Sequence, residues 1–314
     1  MSNFVVIDLG SNSVRLRINH LHANGTFYLT HQAKEFVRLS ENMGPEKTLK
    51  EVPIKRTLAA LLKFKMIYEE LPDCHVVAVA TAAVRQATNQ ADFLIRVKDE
   101  VGLKLRILTG DEEAYLDYLG VSNTLPISKG LIMDTGGAST ELIDVKHGKM
   151  KHRISIPWGS VNLSQTFKLN DQISASDLFR AMNQVSASFA QVGWINHDIK
   201  GPLIVIGGSN RTIAKIRRRQ LTTVNSELLE LHGMHLPKQE IFDIMAHGLS
   251  LNQSQRKNIP GLAKVRADVI IGGWIPLMVI LQELKLPEVI FSNHGLREGL
   301  LYEFLQSKEK IKRD

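Results

Sequence analysis

Residues 4–18 read FVVIDLGSNSVRLRI. Apolar Phe4 to Ile7 run into Asp8. A turn of small residues follows, Gly10, Ser11, Asn12 and Ser13, and then apolar and basic residues alternate from Val14 to Ile18. An unbroken apolar run fits a strand buried on both faces, and strict alternation fits a strand buried on one. The segment therefore predicts strand, turn, strand. The turn carries no large side chain, so its N–H groups and hydroxyls can surround an anion, and Gly10 lets the backbone come close. Asp8 ends the first strand and projects toward the same space. A carboxylate beside an anion cradle calls for a divalent cation bridging the two.

The pattern recurs at residues 131–145, LIMDTGGASTELIDV. Asp134 ends an apolar run, Gly136, Gly137, Ala138 and Ser139 form the turn, and a second strand follows. Both copies fit D-x-G-x-x-S, with the two Asp residues 126 positions apart. Asp–Gly turns are common in unrelated hairpins, so one copy alone says little. Two copies in the same strand context point to an internal duplication, with each domain offering a phosphate-gripping hairpin to a shared cleft. A third anion contact is predicted where the apolar run Leu203 to Ile206 enters Gly207, Gly208 and Ser209 before a helix. There free N–H groups and the helix dipole add.

The rest of the chain bounds the function. It has 314 residues, a length expected for two domains with substantial cores. The boundary is placed where the pattern lapses into polar and turn residues, giving domains 1–124 and 125–314, whose last helix can return to the first. Cys74 is the only cysteine, which excludes internal disulfides and CxxC zinc sites and fits a reducing cytoplasm. The chain enters a strand almost at once, so no signal peptide is expected. The longest apolar run, Val269 to Leu281, is too short for a bilayer and contains Pro276, so it reads as a buried helix. A formal charge of +7 favours an acidic partner. Aromatic residues are not interleaved with the basic ones as single-strand nucleic-acid binding needs, so a small polyanion is preferred to nucleic acid, and no membrane contact is expected.

Two local signals add chemistry. Thr81 can cap a short helix that carries Arg85 near the end of a buried strand. Thr109 with Glu112 fits a capping box, which would occupy Glu112 at the backbone and leave Glu113 as the carboxylate at the mouth of the site.

Seven stretches in order then resemble the exopolyphosphatase/guanosine pentaphosphate phosphatase family, within the actin-like ATPase superfamily. They are IDLGSNSVRL from Ile7, ATAAVRQA from Ala80, GDEEA from Gly110, MDTGGASTEL from Met133, the GGS turn at Gly207, IPGL with RAD between Ile259 and Asp268, and SNHGLREG from Ser292. The resemblance implies an α/β fold of two ribonuclease-H-like domains, with mixed sheets flanked by helices around a central cleft. It implies Glu113 as the general base and Arg85 on the phosphates. Asp8 and Asp134 would hold Mg²⁺ or another divalent cation. The substrate would be inorganic polyphosphate, cut at its terminal phosphate, or the guanosine pentaphosphate pppGpp. A homodimer is compatible with the family's architecture. Where the second loop of the family reads DxGGGS, this chain has Ala138, so an altered loop is expected. Kinases of the same superfold and a non-catalytic nucleotide sensor are the competing readings.

Overall fold

The computed structural model describes residues 2–196, 199, 201–221 and 230–311. The chain divides into two compact units, residues 1–119 with 296–314, and residues 120–295.

The first unit contains β1 (Ser2–Leu9), β2 (Val14–Leu21), β3 (Phe27–Glu35), α1 (Glu51–Glu69), β4 (Cys74–Ala80), α2 (Ala82–Gln86), α3 (Gln90–Arg96), β5 (Arg106–Ile107) and most of α4 (Gly110–Ser122). Its sheet runs β3-β2-β1-β4-β5, with β1 antiparallel to β2 and parallel to β4. Successive β1 side chains point to opposite faces. Val5, Ile7 and Leu9 pack with Leu58, Leu61 and Phe64 of α1. Phe4 and Val6 pack on the other side with Leu116 of α4. Burying both faces explains the unbroken apolar run, each large side chain contributing about 1.5–3 kcal/mol.

The second unit contains β6 (Lys129–Thr135), β7 (Thr140–Lys146), β8 (Lys149–Ile156), α5 (Ser160–Thr166), α6 (Ala175–Ala190), β9 (Leu203–Ile206), α7 (Gly208–Leu221), β10 (Met234–Pro237), α8 (Lys238–Leu249), α9 (Gln253–Arg256), α10 (Ile270–Glu283) and β11 (Glu288–Phe291). The chain then returns as α11 (Leu296–Ile311) to the first unit, where Leu300 and Leu301 join Phe4 and Val6. α11 crosses α4 so closely that a Cβ at Gly299 would stand 2.6 Å from the carbonyl carbon of Leu116.

The second sheet runs β10-β11-β9-β6-β7-β8. Taken from β8, its first five strands repeat β3-β2-β1-β4-β5, with the same antiparallel meander and the same parallel neighbours. The irregularity in the ladder repeats as well. It falls between Ile18 and Asn19 in one unit and between Asp144 and Val145 in the other, in each case ten residues after the signature Asp. Among the described residues, the edge strand β10 alone has no counterpart. The fold is α/β, two mixed sheets flanked by helices.

The apolar run from Val269 is helix α10, buried around Trp274. Among the described residues no helix is long and apolar enough to cross a membrane. β8 ends at Ile156 and α5 starts at Ser160. One local reading is corrected. Thr81 precedes α2, yet its side chain makes no cap bond.

Candidate active site

The two signature turns close in the same way. The Gly10 N–H donates to the Ser13 carbonyl at 3.1 Å, and the Gly136 N–H to the Ser139 carbonyl at 2.9 Å. Ala138, where a third glycine was the family pattern, therefore leaves the closure intact. In both turns the carbonyls are held from outside. Those of Ser11 and Asn12 accept from the N–H groups of Ser40 (2.9 Å) and Arg38 (3.0 Å). Those of Gly136 and Gly137 accept from the N–H groups of Ser160 (3.0 Å) and Val161 (2.7 Å) at the start of α5. Asn162 Nδ2 donates to the Ala138 carbonyl at 3.2 Å. In a trans peptide the N–H points opposite to the C=O. Anchoring the carbonyls outward thus turns the N–H groups of residues 12–13 and 137–139 to the inner side, the arrangement that binds anions. Ser11, Asn12, Ser13 and Ser139 are all buried.

In the first unit the capping box is present. The Glu112 N–H donates to Thr109 Oγ1 at 3.1 Å, and the Thr109 N–H to Glu112 Oε2 at 2.8 Å. Arg106 takes the other carboxylate oxygen at 2.7 Å. Arg106 and the Thr109 N–H hold the Glu112 pKa below the usual carboxylate range. Glu112 is thus committed to the helix start. Glu113, the next residue, is 7% exposed, and its Oε2 accepts from Arg85 Nη1 at 3.1 Å. The same Nη1 donates to the Leu108 carbonyl at 2.7 Å. The structure brings Arg85 and Glu113 together, with the arginine anchored between the end of β5 and the first turn of α4. Asp8, at the end of β1, stands opposite Arg15 in the β1–β2 ladder, and its Oδ2 lies 4.0 Å from Arg297 Nε in the first turn of α11. The following residue, Glu298, pairs with Arg17 at 2.9 Å. Burial lowers the pKa of Arg17.

In the second unit Asp134 ends β6 beside the third turn. Gly207, at φ +88°, lies so near that a Cβ there would overlap the Asp134 carboxylate and stand 2.6 Å from the Thr135 carbonyl oxygen. Gly208 is covered by the Arg266 guanidinium, whose Cζ would be 2.6 Å from an added Cβ. Ser209 is 1% exposed, and its side chain faces Gly273 of α10, so only its backbone N–H can serve an anion.

Two residues escaped the sequence reading. Arg266 lies in the quoted RAD stretch, yet only the fold places it over the turn. Glu141 sits directly opposite Asp134 in the β6–β7 ladder, fully buried, with Ser155 Oγ donating to its Oε1 at 2.7 Å. Opposed residues of an antiparallel pair share a face, with Cβ atoms about 5 Å apart. Two adjacent carboxylates, one fully buried and one partly, repel unless positive charge lies near them. Among the described residues no cluster of three or more His, Cys, Asp or Glu stands ready for a metal. Mg²⁺ needs fewer, since it keeps several waters and takes one or two carboxylates plus substrate phosphates. Asp134 and Glu141 fit that donor set.

The sequence model of the Ppx/GppA phosphatase family matches residues 18–308. The chain belongs to the Ppx/GppA phosphatase family. It is 30% identical to the bifunctional 3-dehydroquinate synthase/phosphatase of Fusobacterium nucleatum, over 96% of this chain and 46% of that protein. It is 28% identical to the guanosine-5'-triphosphate,3'-diphosphate pyrophosphatase of Aeromonas salmonicida, over 96% and 59%. The chain thus spans about half the length of these curated relatives. Among solved structures, the Aquifex aeolicus member of the Ppx/GppA family is 29% identical with a TM-score of 0.78, covering 98% of each chain. An exopolyphosphatase from Cytophaga hutchinsonii has the same fold, with a TM-score of 0.88 at 24% identity and 98% coverage of each chain.

Proposed function

We propose that the protein is an exopolyphosphatase, which hydrolyses the terminal phosphate of inorganic polyphosphate and releases orthophosphate with a divalent cation, Mg²⁺ for preference. The observation that carries the reading is the buried Glu113 fixed by Arg85, in a chain that also holds two anion-binding turns. Glu113 orients the nucleophilic water and accepts its proton as the water oxygen bonds to the terminal phosphorus. The bridging P–O bond breaks, and the shortened chain leaves with the electron pair. Negative charge spreads over the equatorial oxygens in the transition state, so positioning and electrostatics supply most of the rate. The N–H groups of the turns, Ser13 and Ser139 hold the phosphates, and the Gly207–Ser209 backbone adds a third contact. Arg85 keeps Glu113 aligned while its other donors serve the terminal phosphate. Asp134 and Glu141 would hold the cation, which supplies charge neutralisation to the phosphoryl oxygens.

The reading is tested by phosphate release. Glu113→Gln is expected to lower kcat by about 10²- to 10⁴-fold while polyphosphate binding in a titration is retained. Turnover at the unsubstituted rate refutes the role of Glu113. The relative from Aeromonas, named for action on the guanosine compound, favours pppGpp 5′-phosphohydrolysis as the second reading. Specific activities on long-chain polyphosphate and on pppGpp, measured side by side, decide between them.

A further inference from the structure

The repeated sheet offers a comparison at its far end, away from the signature turn. Five residues before each signature Asp and twelve after it, the chain occupies opposed positions of the ladder. In the first unit these are Asn3 and His20, and β3 sets Tyr28 against His20. That row satisfies itself. His20 Nδ1 lies 3.2 Å from Asn3 Oδ1, and the His20 and Tyr28 rings are 5.4 Å apart. In the second unit the same three positions are Lys129, Lys146 and Lys149. Opposed residues share a face with Cβ atoms about 5 Å apart, and like charges so placed repel. All three lysines are exposed. Asp144 Oδ2 lies 3.6 Å from Lys146 Nζ. Among the described residues, neither Lys129 nor Lys149 has a carboxylate within ion-pair distance.

The backbone prevents the row from spreading. His147 and Gly148 join β7 to β8 at φ 54° and 70°, the paired positive values of a type I′ hairpin. The Gly148 N–H donates to the Ser128 carbonyl at 2.8 Å, tying the hairpin tip to the start of β6. On the other side of β6, a Cβ at Gly201 would stand 2.5 Å from the Lys129 carbonyl oxygen. The first unit builds this sheet with no lysine at any of the three positions, so the charges answer to something other than the sheet.

We propose that the row of Lys129, Lys146 and Lys149 is a docking site for a long polyphosphate chain, separate from the turn. β7 runs from Thr140, beside the turn, to Lys146, a span of about 20 Å at the rise of a strand. A substrate of few phosphates held at the turn cannot reach the row. An ammonium is a hydrated point charge without a fixed fork of donors, so the row suits a flexible chain of equivalent charges. Nucleic acid would call for aromatic faces between the cations. The nearby indole of Trp194 is instead stacked on His152, with centroids 5.6 Å apart. The inference rests on the polyphosphate substrate proposed above and adds a second place where long chains are held.

Calorimetric titrations of the full chain, with a chelator present, test it on long-chain polyphosphate and on tripolyphosphate. The double variant Lys129→Gln with Lys149→Gln is expected to bind the long chain about tenfold more weakly at low salt. The slope of log affinity against log salt should fall by about two. Tripolyphosphate affinity and phosphate release from it should not change. Lys129→Arg with Lys149→Arg, which keeps the charges, should keep long-chain binding. Melting curves establish that each variant is folded. Long-chain affinity indifferent to the double Gln variant overturns the proposal. So does an equal loss of tripolyphosphate affinity, which would make the lysines part of a general field. Single-stranded DNA bound as tightly as the long chain, with the same lysine dependence, overturns it in favour of nucleic acid. Lysine-dependent binding of polyphosphate without phosphate release refutes the proposed activity and leaves the docking site standing.

Discussion

Gly207→Ala probes the tightest point of the second unit. At φ +88° the backbone is in the region that favours glycine, and alanine there costs about 1–2 kcal/mol. The added Cβ would also overlap the Asp134 carboxylate and stand 2.6 Å from the Thr135 carbonyl oxygen. Ordinary contact is longer by roughly 0.7 Å, and forcing such a gap in packed backbone costs about 1–3 kcal/mol. The sum is about 2–5 kcal/mol. For a unit of this size each kcal/mol lowers Tm by about 2–4 °C, so a fall of roughly 4–20 °C is expected in calorimetry. Gly193→Ala is the control. An added Cβ there meets nothing within 4 Å, and its effect should stay within about 0.5 kcal/mol. If Gly207→Ala melts like the unsubstituted protein, the close approach of the third turn to Asp134 is refuted.

Glu112→Ala should leave kcat intact, in contrast to Glu113→Gln, and lower stability at neutral pH by about 0.5–1 kcal/mol through loss of the cap. The folded pKa of Glu112 is depressed, so its contribution is present above the ordinary carboxylate pKa and is lost as pH falls through the folded value. Urea unfolding at about pH 7 and about pH 3 should therefore show the difference between the two proteins shrinking in acid; a constant difference counts against the depressed pKa. Arg256 is fully buried and donates to the carbonyls of Ala267, Leu251, Asn170 and Asp171. Arg256→Leu strands four acceptors and should cost about 3–5 kcal/mol in urea unfolding, with a loss under 1 kcal/mol refuting the knot.

What was legible in the sequence was whatever the backbone imposes. The unbroken run before Asp8 announces a strand covered on both sides, and β1 is one, between α1 and the pair α4 and α11. The repeated signature announces a repeated sheet, down to the ladder irregularity ten residues on. The capping of α4 by Thr109 and Glu112 was legible too, because it is a backbone pattern. What was illegible depends on the fold. Glu141 lies in a strand where an acidic residue reads as solvent-facing, yet it is fully buried. Its meaning appears only when the ladder sets it opposite Asp134. Helix α5 was hidden because PWGSVNLS offers turn residues and little period, and its start is fixed by bonds to the turn at Gly136 and Gly137.

Those bonds show how a duplicated scaffold can diverge without losing its shared device. The inner N–H groups of each turn are set by holding the carbonyls from outside, and any donor segment will do. The first unit uses the N–H groups of Arg38 and Ser40, on an irregular stretch where Arg38 takes φ 48°. The second uses the first turn of α5. With the cradle secured by backbone donors and the Asn162 and Ser40 side chains, the strand position opposite the Asp takes no part in holding the turn. It can carry a cation in one unit and an anion in the other. The outward anchors explain why the cradle geometry persists in both copies, and the freedom they leave explains why the surrounding charges do not.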